Sequence, residues 1–352
     1  MDLNKNKWKV IKLTSFILVV LIGIFIFTQI GPYNRNNKKD IVIDIPSGST
    51  VSKISDILYE NELIKNKTLF KVVAKVSEKS PNIKAGKYLL NQTYSNNDII
   101  NLLASGRIYQ DGVKITIPEG STSKEIINIL ISKKLGNKET YENLIQNPKE
   151  FYDKFSYLKE DDITCLEGFL YPETYYFDEN ASEKEILSQM LSEFNKIYSD
   201  KLKEKQKELN MTLQQVVNLA SIVEKEAVLD EDRPTIASVF YNRLEKDMQL
   251  QSDATIQYIF KERKKIVTYN DLKIDSPYNS YRNKGLPPTP IANPGVKSIQ
   301  ATLYPDDTKY LYFVAKLNGG NNYSVEYKDH LKYVKEYKDE RAKLNQNKIE
   351  EK

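Results

Sequence analysis

Two glutamates stand close together in an apolar segment, and this arrangement could do acid–base chemistry on a glycosidic bond. The segment Leu213–Asp230 has apolar residues at helical spacing and follows Thr212, a suitable N-cap. At 100° per residue, Glu226 shares the apolar stripe of the predicted helix, whereas Glu224 points roughly 200° away from it. Burial penalises the charged form of a carboxyl, so we expect a raised pKa at Glu226. A general acid that protonates a glycosidic oxygen needs this property.

The same spacing also fits a structural role, in which Glu226 forms an ion pair with Arg233 or Lys225. Further carboxylates could act as a partner in the chemistry or bond the substrate: Glu167, Glu173, Glu224 and Asp253. Glu167 and Glu173 could instead bond backbone amides, because they flank Gly168 and Pro172 at a predicted turn.

Aromatic and amide side chains supply the contacts that a sugar ring prefers. Tyrosine occurs 24 times and phenylalanine 12 times, and a tyrosine offers an apolar face with a polar rim. The tyrosines that we consider as candidates for substrate contact are Tyr171, Tyr175, Tyr278 and Tyr281. The amides that could add neutral polar contacts are Asn242, Gln251, Asn279 and Asn293.

Cysteine and histidine each occur once, which excludes several classes of protein. A disulfide within the chain is impossible, and neither a His/Cys metal site nor a cofactor is predicted. A Ser-His-Asp triad would need His330, and no G-x-S-x-G motif accompanies it. Ser121 and Lys124 match S-x-x-K without a K-T-G motif, so we interpret them as a turn and a helix start. Nucleic acid is not a predicted partner, because 52 basic and 48 acidic residues are mixed along the chain.

An uncharged apolar run from Leu13 to Ile30 predicts a membrane helix of roughly 27 Å. Lysines precede this run, so the N-terminus should be cytoplasmic. A cleaved signal peptide is the alternative, but the run is long and no small-x-small cleavage pattern follows it. We therefore predict a single-pass cell-membrane protein with a cytoplasmic tail (1–12), an anchor (13–31), a tether (32–40) and an extracytoplasmic remainder.

An internal repeat organises the region after the tether. Ile45–Thr50, with the sequence IPSGST, recurs 72 residues later as Ile117–Thr122, with the sequence IPEGST. A common turn-and-cap motif explains these hexapeptides, but it does not explain the apolar positions that also match. Those positions are Ile54, Ile57, Leu58 and Leu63 in the first copy and Ile126, Ile129, Leu130 and Leu135 in the second. Each copy is predicted to form a strand, a turn and a helix.

Several motifs follow one another in an order that is specific to one family. They are Leu166–Tyr175, the Glu226 helix, Ser238–Leu244, Leu250–Thr255, Ser276–Tyr281, Gly285–Pro288 and Ile291–Gly295. In this order they closely resemble the endolytic murein transglycosylase family, also called the YceG-like family, over about residues 41 to 340. The resemblance implies cleavage of the β-1,4 bond between N-acetylmuramic acid and N-acetylglucosamine in nascent peptidoglycan strands. It also implies a 1,6-anhydromuramoyl product and termination of glycan polymerisation beside the cell-wall synthases.

The resemblance assigns catalysis to a glutamate in the E-K-E helix, which we carry over to Glu226. Residues 41–107 resemble a LysM-like module, a type that binds N-acetylhexosamine chains. The predicted fold is α+β, with a transmembrane helix, a small LysM-like α/β module, a larger α+β catalytic domain at 108–340 and a charged tail at 341–352. His330 matches a family position, although the histidine expected within residues 321–325 is missing.

Two alternatives stay open. One is a non-catalytic peptidoglycan-binding scaffold for the synthases, in which Glu226 is structural. The other is a muramidase, which hydrolyses the same bond and needs a second carboxylate roughly 5 to 9.5 Å from the first.

Overall fold

The apolar run near the N-terminus forms a long helix, α1 (Leu3–Ile30), in the computed structural model. The structure describes residues 3–79, 82–106, 109, 112–159, 163–260 and 262–350. Within these residues, Lys12–Ile30 is the one helical segment long and apolar enough to cross a membrane. Its side chains from 12 to 28 are exposed, as expected for a helix whose surroundings are lipid. The segment fits a single-pass membrane anchor.

The chain divides into two units, Met1–Asp111 and Gly112–Lys352. Helices and strands are mixed in both units. The predicted border at residues 107 and 108 lies outside the described residues, as do residues 1–2 of the predicted tail and 351–352 at the other end. The proposed division into a LysM-like module, a catalytic domain and a charged tail stays a prediction.

The first unit contains a two-stranded antiparallel sheet covered by helices. Strand β1 (Asp40–Ile45) pairs with β2 (Gly86–Asn91). Three helices accompany the sheet: α2 (Val51–Glu60), α3 (Lys67–Val76) and α4 (Asn96–Ser105). Alternation along β1 turns Ile43 and Ile45 inward, and they join a buried cluster with the apolar faces of the helices. This packing explains why a short sheet is stable here.

The second unit begins with the same β-α-α-β order, so the repeat is structural as well as sequential. Strand β3 (Val113–Thr116) pairs with β4 (Thr174–Phe177), and between them lie α5 (Ser123–Ser132) and α6 (Lys138–Ile145). The turn after each first strand uses a glycine with positive φ, +76° at Gly48 and +73° at Gly120. Thr50 caps α2, and Thr122 caps α5.

The apolar positions that match in sequence are also equivalent in burial. Leu58 and Leu130 are both 0% exposed, and Leu63 and Leu135 are both 1% exposed. Each copy also ends its helix with a residue in the left-handed region, Glu62 in the first and Lys134 in the second. The strand–turn–helix prediction is confirmed for both copies.

The rest of the second unit is mainly helical. Its elements are α7 (Glu183–Ile197), α8 (Asp200–Glu208), α9 (Leu213–Glu226), α10 (Arg233–Glu245), α11 (Asp253–Ile259), α12 (Val296–Leu303), β5 (Tyr312–Ala315), β6 (Asn321–Ser324) and α13 (Tyr327–Glu350). Helix α9 packs against α10, α11 and α12. Strands β5 and β6 form a separate antiparallel pair.

Replacing either repeat leucine should destabilise the unit that contains it. Leu58→Ala and Leu130→Ala each leave a cavity in a closed core, so each should lower the free energy of unfolding by about 2–5 kcal/mol. Denaturant unfolding followed by circular dichroism measures this. Ser52→Ala, at an exposed position of α2, is the matched control and should change stability by less than about 0.5 kcal/mol. Equal stability of the leucine variants and the control would contradict the assigned cores.

Candidate active site

Helix α9 carries the two glutamates, and its two ends explain their positions. At its start, Thr212 and Gln215 form a capping box, each side chain bonding the backbone N–H of the other. Every residue from Leu213 to Val223 except Gln215 is buried. The helix ends at Glu226, because the next residue has extended backbone. Glu226 therefore stands where a buried helix reaches a cleft.

Glu224 is held in a buried network. Its carboxylate lies 3.3 Å from Arg233 Nη1, and the side chains are 6% and 8% exposed. It also accepts hydrogen bonds from Ser298 Oγ at 2.8 Å and from the Gly295 backbone N–H at 3.0 Å. This set of partners stabilises the packing of α9 on α12 and leaves Glu224 little capacity to bond a substrate.

Glu226 has no cation partner among the described residues. Arg233 instead pairs with Glu224 and Asp230, while Lys225 Nζ donates to the carbonyl of Gly120 at 2.9 Å. The alternative in which Glu226 forms an ion pair with Arg233 or Lys225 is therefore wrong. The Glu226 carboxylate accepts hydrogen bonds from Ser252 Oγ at 2.5 Å and from a backbone N–H at the start of α11.

Burial raises the pKa of Glu226, which agrees with the expectation from the helical wheel. The bond from Ser252 opposes this rise, while the nearby charge of Asp253 adds to it. Glu226 is therefore a carboxyl that keeps its proton to higher pH than an exposed glutamate does. Such a group is suited to donate a proton at neutral pH.

A cleft of about 910 Å³ contains Glu226 together with two other candidate carboxylates, Glu167 and Asp253. Its walls come from the start of α5, from α11 and from the segment 262–267. No group of three or more His, Cys, Asp or Glu side chains in the described part of the chain is placed to hold a metal ion.

Glu167 is 5% exposed and joins three segments of the cleft. It accepts hydrogen bonds from the Ser123 backbone N–H at 2.9 Å, from Asn293 Nδ2 at 3.0 Å and from Tyr258 OH at 3.1 Å. Burial raises the pKa of Glu167 to about 7, although the bonds from Ser123 and Tyr258 oppose the rise. The predicted bonding of backbone amides by Glu167 is present, in the first turn of α5.

Asn293 connects the same region from the other side. Its Nδ2 donates to the carbonyl of Ser121 at 2.9 Å, and its Oδ1 accepts from the Leu170 N–H at 2.9 Å. The residue is 0% exposed. Asn293 therefore fixes the turn before α5 and the loop after Glu167, and it does not face the cleft as a sugar-binding amide.

Three tyrosines lie beside the cleft carboxylates: Tyr258, Tyr278 and Tyr281. Tyr281 OH donates to Asp253 at 2.6 Å. The ring of Tyr278 packs on Tyr258 at a centroid distance of 5.0 Å, and its hydroxyl bonds Thr289. Tyr258 itself lines the cleft, so two of the predicted tyrosines support the site from outside it.

Several predicted site residues do not line the cleft. Glu173 is exposed and accepts from the N–H of Thr174 at 2.8 Å. Tyr175 is 4% exposed within the large hydrophobic core, and its hydroxyl donates to the carbonyl of Tyr171. Glu173 immediately precedes β4, and Tyr175 lies within it. The pairing of β4 with β3 directs Tyr175 to the core, whereas Glu173 faces solvent.

The remaining predicted amides hold loops in place. Asn242 Nδ2 donates to the carbonyls of Thr308 and Tyr310, and the buried Asn279 donates to those of Leu272 and Ile274. Gln251 is exposed, has φ +52°, and accepts from Arg243 Nη1 at 3.3 Å. These contacts stabilise the loops around α11.

His330 packs on α13 between Tyr312 and Tyr327, with ring centroids at 5.2 and 5.7 Å. Its Nδ1 is buried without a hydrogen-bond partner in the described structure. Burial and the charge of Arg243 lower the pKa of His330. His330 is not among the residues that line the cleft.

Sequence reasoning missed Ser252, which bonds Glu226, and Tyr258, which bonds Glu167. A sequence pattern could have indicated both residues. Ser252 immediately precedes the Asp253 that opens α11, and Tyr258 follows on that short helix. A helix start beside a carboxyl is the signal that would have found Ser252.

The sequence of this chain is matched by known proteins. The model of the YceG-like family matches residues 43–336. The chain belongs to the YceG-like family. The match covers both β-α-α-β copies apart from the first three residues of β1, and it covers every residue that lines the Glu226 cleft apart from Arg341 on α13.

Curated relatives of this YceG-like protein carry a specific name. An endolytic murein transglycosylase of Bacillus subtilis (strain 168) is 37% identical over 333 residues, which are 91% of each chain. An endolytic murein transglycosylase of Streptococcus pneumoniae (strain ATCC BAA-255 / R6) is 31% identical over 91% of this chain and 62% of its own length. A crystal structure of a YceG-like protein from Listeria monocytogenes is 35% identical, with a TM-score of 0.58 over 84% of this chain and 99% of that one.

The two glutamates of α9 should differ in their effect on stability. Glu224→Gln leaves buried Arg233 without its main partner, so the free energy of unfolding should fall by about 3 kcal/mol. Glu226→Gln removes a desolvated carboxyl that has no cation partner, and stability at pH 7 should stay equal or rise. Thermal and denaturant unfolding of both variants measure the difference. A larger loss for Glu226→Gln than for Glu224→Gln would contradict this assignment.

Glu167 should make stability depend on pH in a defined window. Its pKa of about 7, raised from 4.5, means that the folded protein holds this proton more tightly than the unfolded chain. The contribution is complete below pH 4.5 and is lost as the pH rises to about 7, amounting to about 3 kcal/mol. Unfolding free energies at pH 4 to 8 should fall with pH more steeply for the wild type than for Glu167→Gln. Parallel curves would refute the raised pKa.

Proposed function

We propose that this protein is a lytic transglycosylase that cuts peptidoglycan strands internally, with Glu226 as its catalytic acid and base. The observation that carries the proposal is the desolvated carboxyl of Glu226, which has no cation partner among the described residues and lies in a cleft with four further acidic residues. The relatives named endolytic murein transglycosylase support peptidoglycan as the substrate.

The mechanism needs one well-placed acid. Glu226 protonates the oxygen that leaves when the bond between N-acetylmuramic acid and N-acetylglucosamine breaks, while an oxocarbenium-like transition state forms. The resulting carboxylate then takes the proton of the muramic acid 6-hydroxyl as that oxygen bonds the anomeric carbon. The product carries a 1,6-anhydro ring, and Glu226 regains its proton. The bonds from Ser252 and α11 orient the carboxyl in both states.

Hydrolysis by a muramidase is the second candidate, and Asp253 is the observation that favours it. Asp253 lines the same cleft and raises the pKa of Glu226. A second carboxylate beside the acid could activate water or stabilise the cation. Tyr281 donates to Asp253, so the orientation of this carboxylate is also fixed.

The other parts of the chain fit this activity. A cytoplasmic N-terminus with α1 as anchor would hold the remainder outside the cell membrane, where new glycan emerges from the synthases. The LysM-like character of residues 41–107 would give the enzyme a second contact with the strand. In this proposal the protein ends glycan elongation beside those synthases, its expected partners.

Replacing the proposed acid should stop the reaction. Glu226→Gln should lower kcat at least 1,000-fold on un-cross-linked glycan strands, because it removes both proton transfers. Mass spectrometry of the products from the full-length protein in detergent measures this. Glu173→Gln, an exposed carboxylate outside the cleft, is the control and should retain wild-type activity. Undiminished cleavage by Glu226→Gln would exclude Glu226 as the acid.

The same spectra distinguish the alternatives. Anhydro ends from the wild type support the transglycosylase, whereas reducing ends that disappear in Asp253→Asn indicate a muramidase. A wild-type protein that binds strands and releases no product would indicate the non-catalytic scaffold.

A further inference from the structure

The Glu226 cleft is lined by three cations that neutralise no group among the residues that the structure describes. Arg263, Lys265 and Arg341 all line this cleft. None of them makes a hydrogen bond or ion pair with any residue that the structure describes. They come from two separate parts of the chain, the segment after α11 and the helix α13. Their presence in the lining of a single cleft therefore needs an explanation.

The segment that carries two of these cations is held by its middle residue. Gln257 accepts from the Lys264 N–H and donates to the Lys264 carbonyl, both at 2.9 Å. Lys264 Nζ pairs with Asp271 at 2.5 Å and lies over the ring of Phe260 at 4.1 Å. The bond from Lys264 lowers the pKa of Asp271 to about 2, so this pair stays charged. Lys264 is thus bound to the protein.

Arg263 and Lys265, on either side of Lys264, line the cleft. Arg263 and Lys265 are exposed, and the bonds to Lys264 fix the backbone between them. Glu262 is the acidic residue of this segment that also lines the cleft. The other cleft acids have their own donors: Glu125 caps α5, Glu167 and Glu226 accept protein hydrogen bonds, and Asp253 accepts from Tyr281. The cations are therefore available to a bound molecule.

We propose that Arg263, Lys265 and Arg341 bind anionic groups carried by the glycan strand, namely the carboxylates of the peptides attached to its muramic acids. This inference rests on the proposed function. Exposed guanidinium and ammonium groups bind carboxylates by charge-assisted hydrogen bonds. Peptide carboxylates recur along the strand, so they can meet the cations wherever an internal cut is made. The cleft then recognises strands that still bear peptides.

A diphosphate at the lipid-linked end of a strand has similar chemistry, and substrate pairs distinguish the two sources. The first pair is un-cross-linked, peptide-bearing strands before and after their carboxylates are coupled to ethanolamine with a carbodiimide. The second pair is lipid-linked strands before and after mild acid removes the lipid and its diphosphate. Binding is measured with the full-length Glu226→Gln protein in detergent, so the result does not depend on cleavage.

The triple variant Arg263→Gln, Lys265→Gln, Arg341→Gln should bind peptide-bearing strands about tenfold more weakly, as expected for three exposed charge contacts. In the active protein it should raise KM by a similar factor and leave kcat unchanged. Coupling the carboxylates to ethanolamine should weaken binding to the parent protein and have little effect on the triple variant. Added salt should also weaken only the parent protein. Lys309→Gln, at an exposed lysine outside the cleft, is the matched control.

Wild-type affinity in the triple variant, or an equal loss on coupled and uncoupled strands, would overturn the proposal. If removal of the diphosphate weakens binding and coupling of the carboxylates does not, the assignment to peptides is overturned. Failure of the proposed function has a different signature, since a wild-type protein that cuts no strand can still bind peptide-bearing strands through these cations. Unchanged thermal unfolding of the triple variant shows that any loss of binding is not a loss of folding.

Discussion

The buried ion pair between Glu224 and Arg233 joins the end of α9 to the start of α10. Arg233 is the buried cation next to the end of α9, and its guanidinium is engaged by Glu224 and Asp230. Glu226 has no cation partner among the described residues, and burial raises its pKa.

A second network brings distant parts of the chain to the same cleft. Glu167 and Asn293 lie 126 residues apart and bond each other. Asn293 also bonds Ser121 in the turn before α5, and Glu167 bonds Ser123, the first residue of α5. Gly168 follows Glu167 with φ +92°, and a Cβ there would approach Pro290 and Val217 to 2.6 and 2.7 Å. The loops that carry these residues thus have little freedom, which keeps the walls of the cleft fixed relative to α9.

Much of the fold and part of the site could be predicted from local patterns. Helical periodicity located α9 and placed Glu226 and Glu224 on different faces, and the 72-residue repeat predicted two strand–turn–helix copies. The partners of each polar residue could not be predicted, because they depend on tertiary contacts. Tyr175 and Asn242 have types that suit a sugar ring, yet burial against the core and the loop carbonyls determines their roles.

The two β-α-α-β copies are what a duplication within one gene would produce. The positions at which the copies differ can therefore be compared directly. Both copies keep the glycine turn and the threonine cap, which the fold requires. In the second copy the first turns of α5 line the cleft through Thr122, Lys124, Glu125 and Asn128. The equivalent positions of the first copy are Thr50, Ser52, Lys53 and Asp56. The two copies thus share one scaffold and differ in the residues that line the cleft in the second copy.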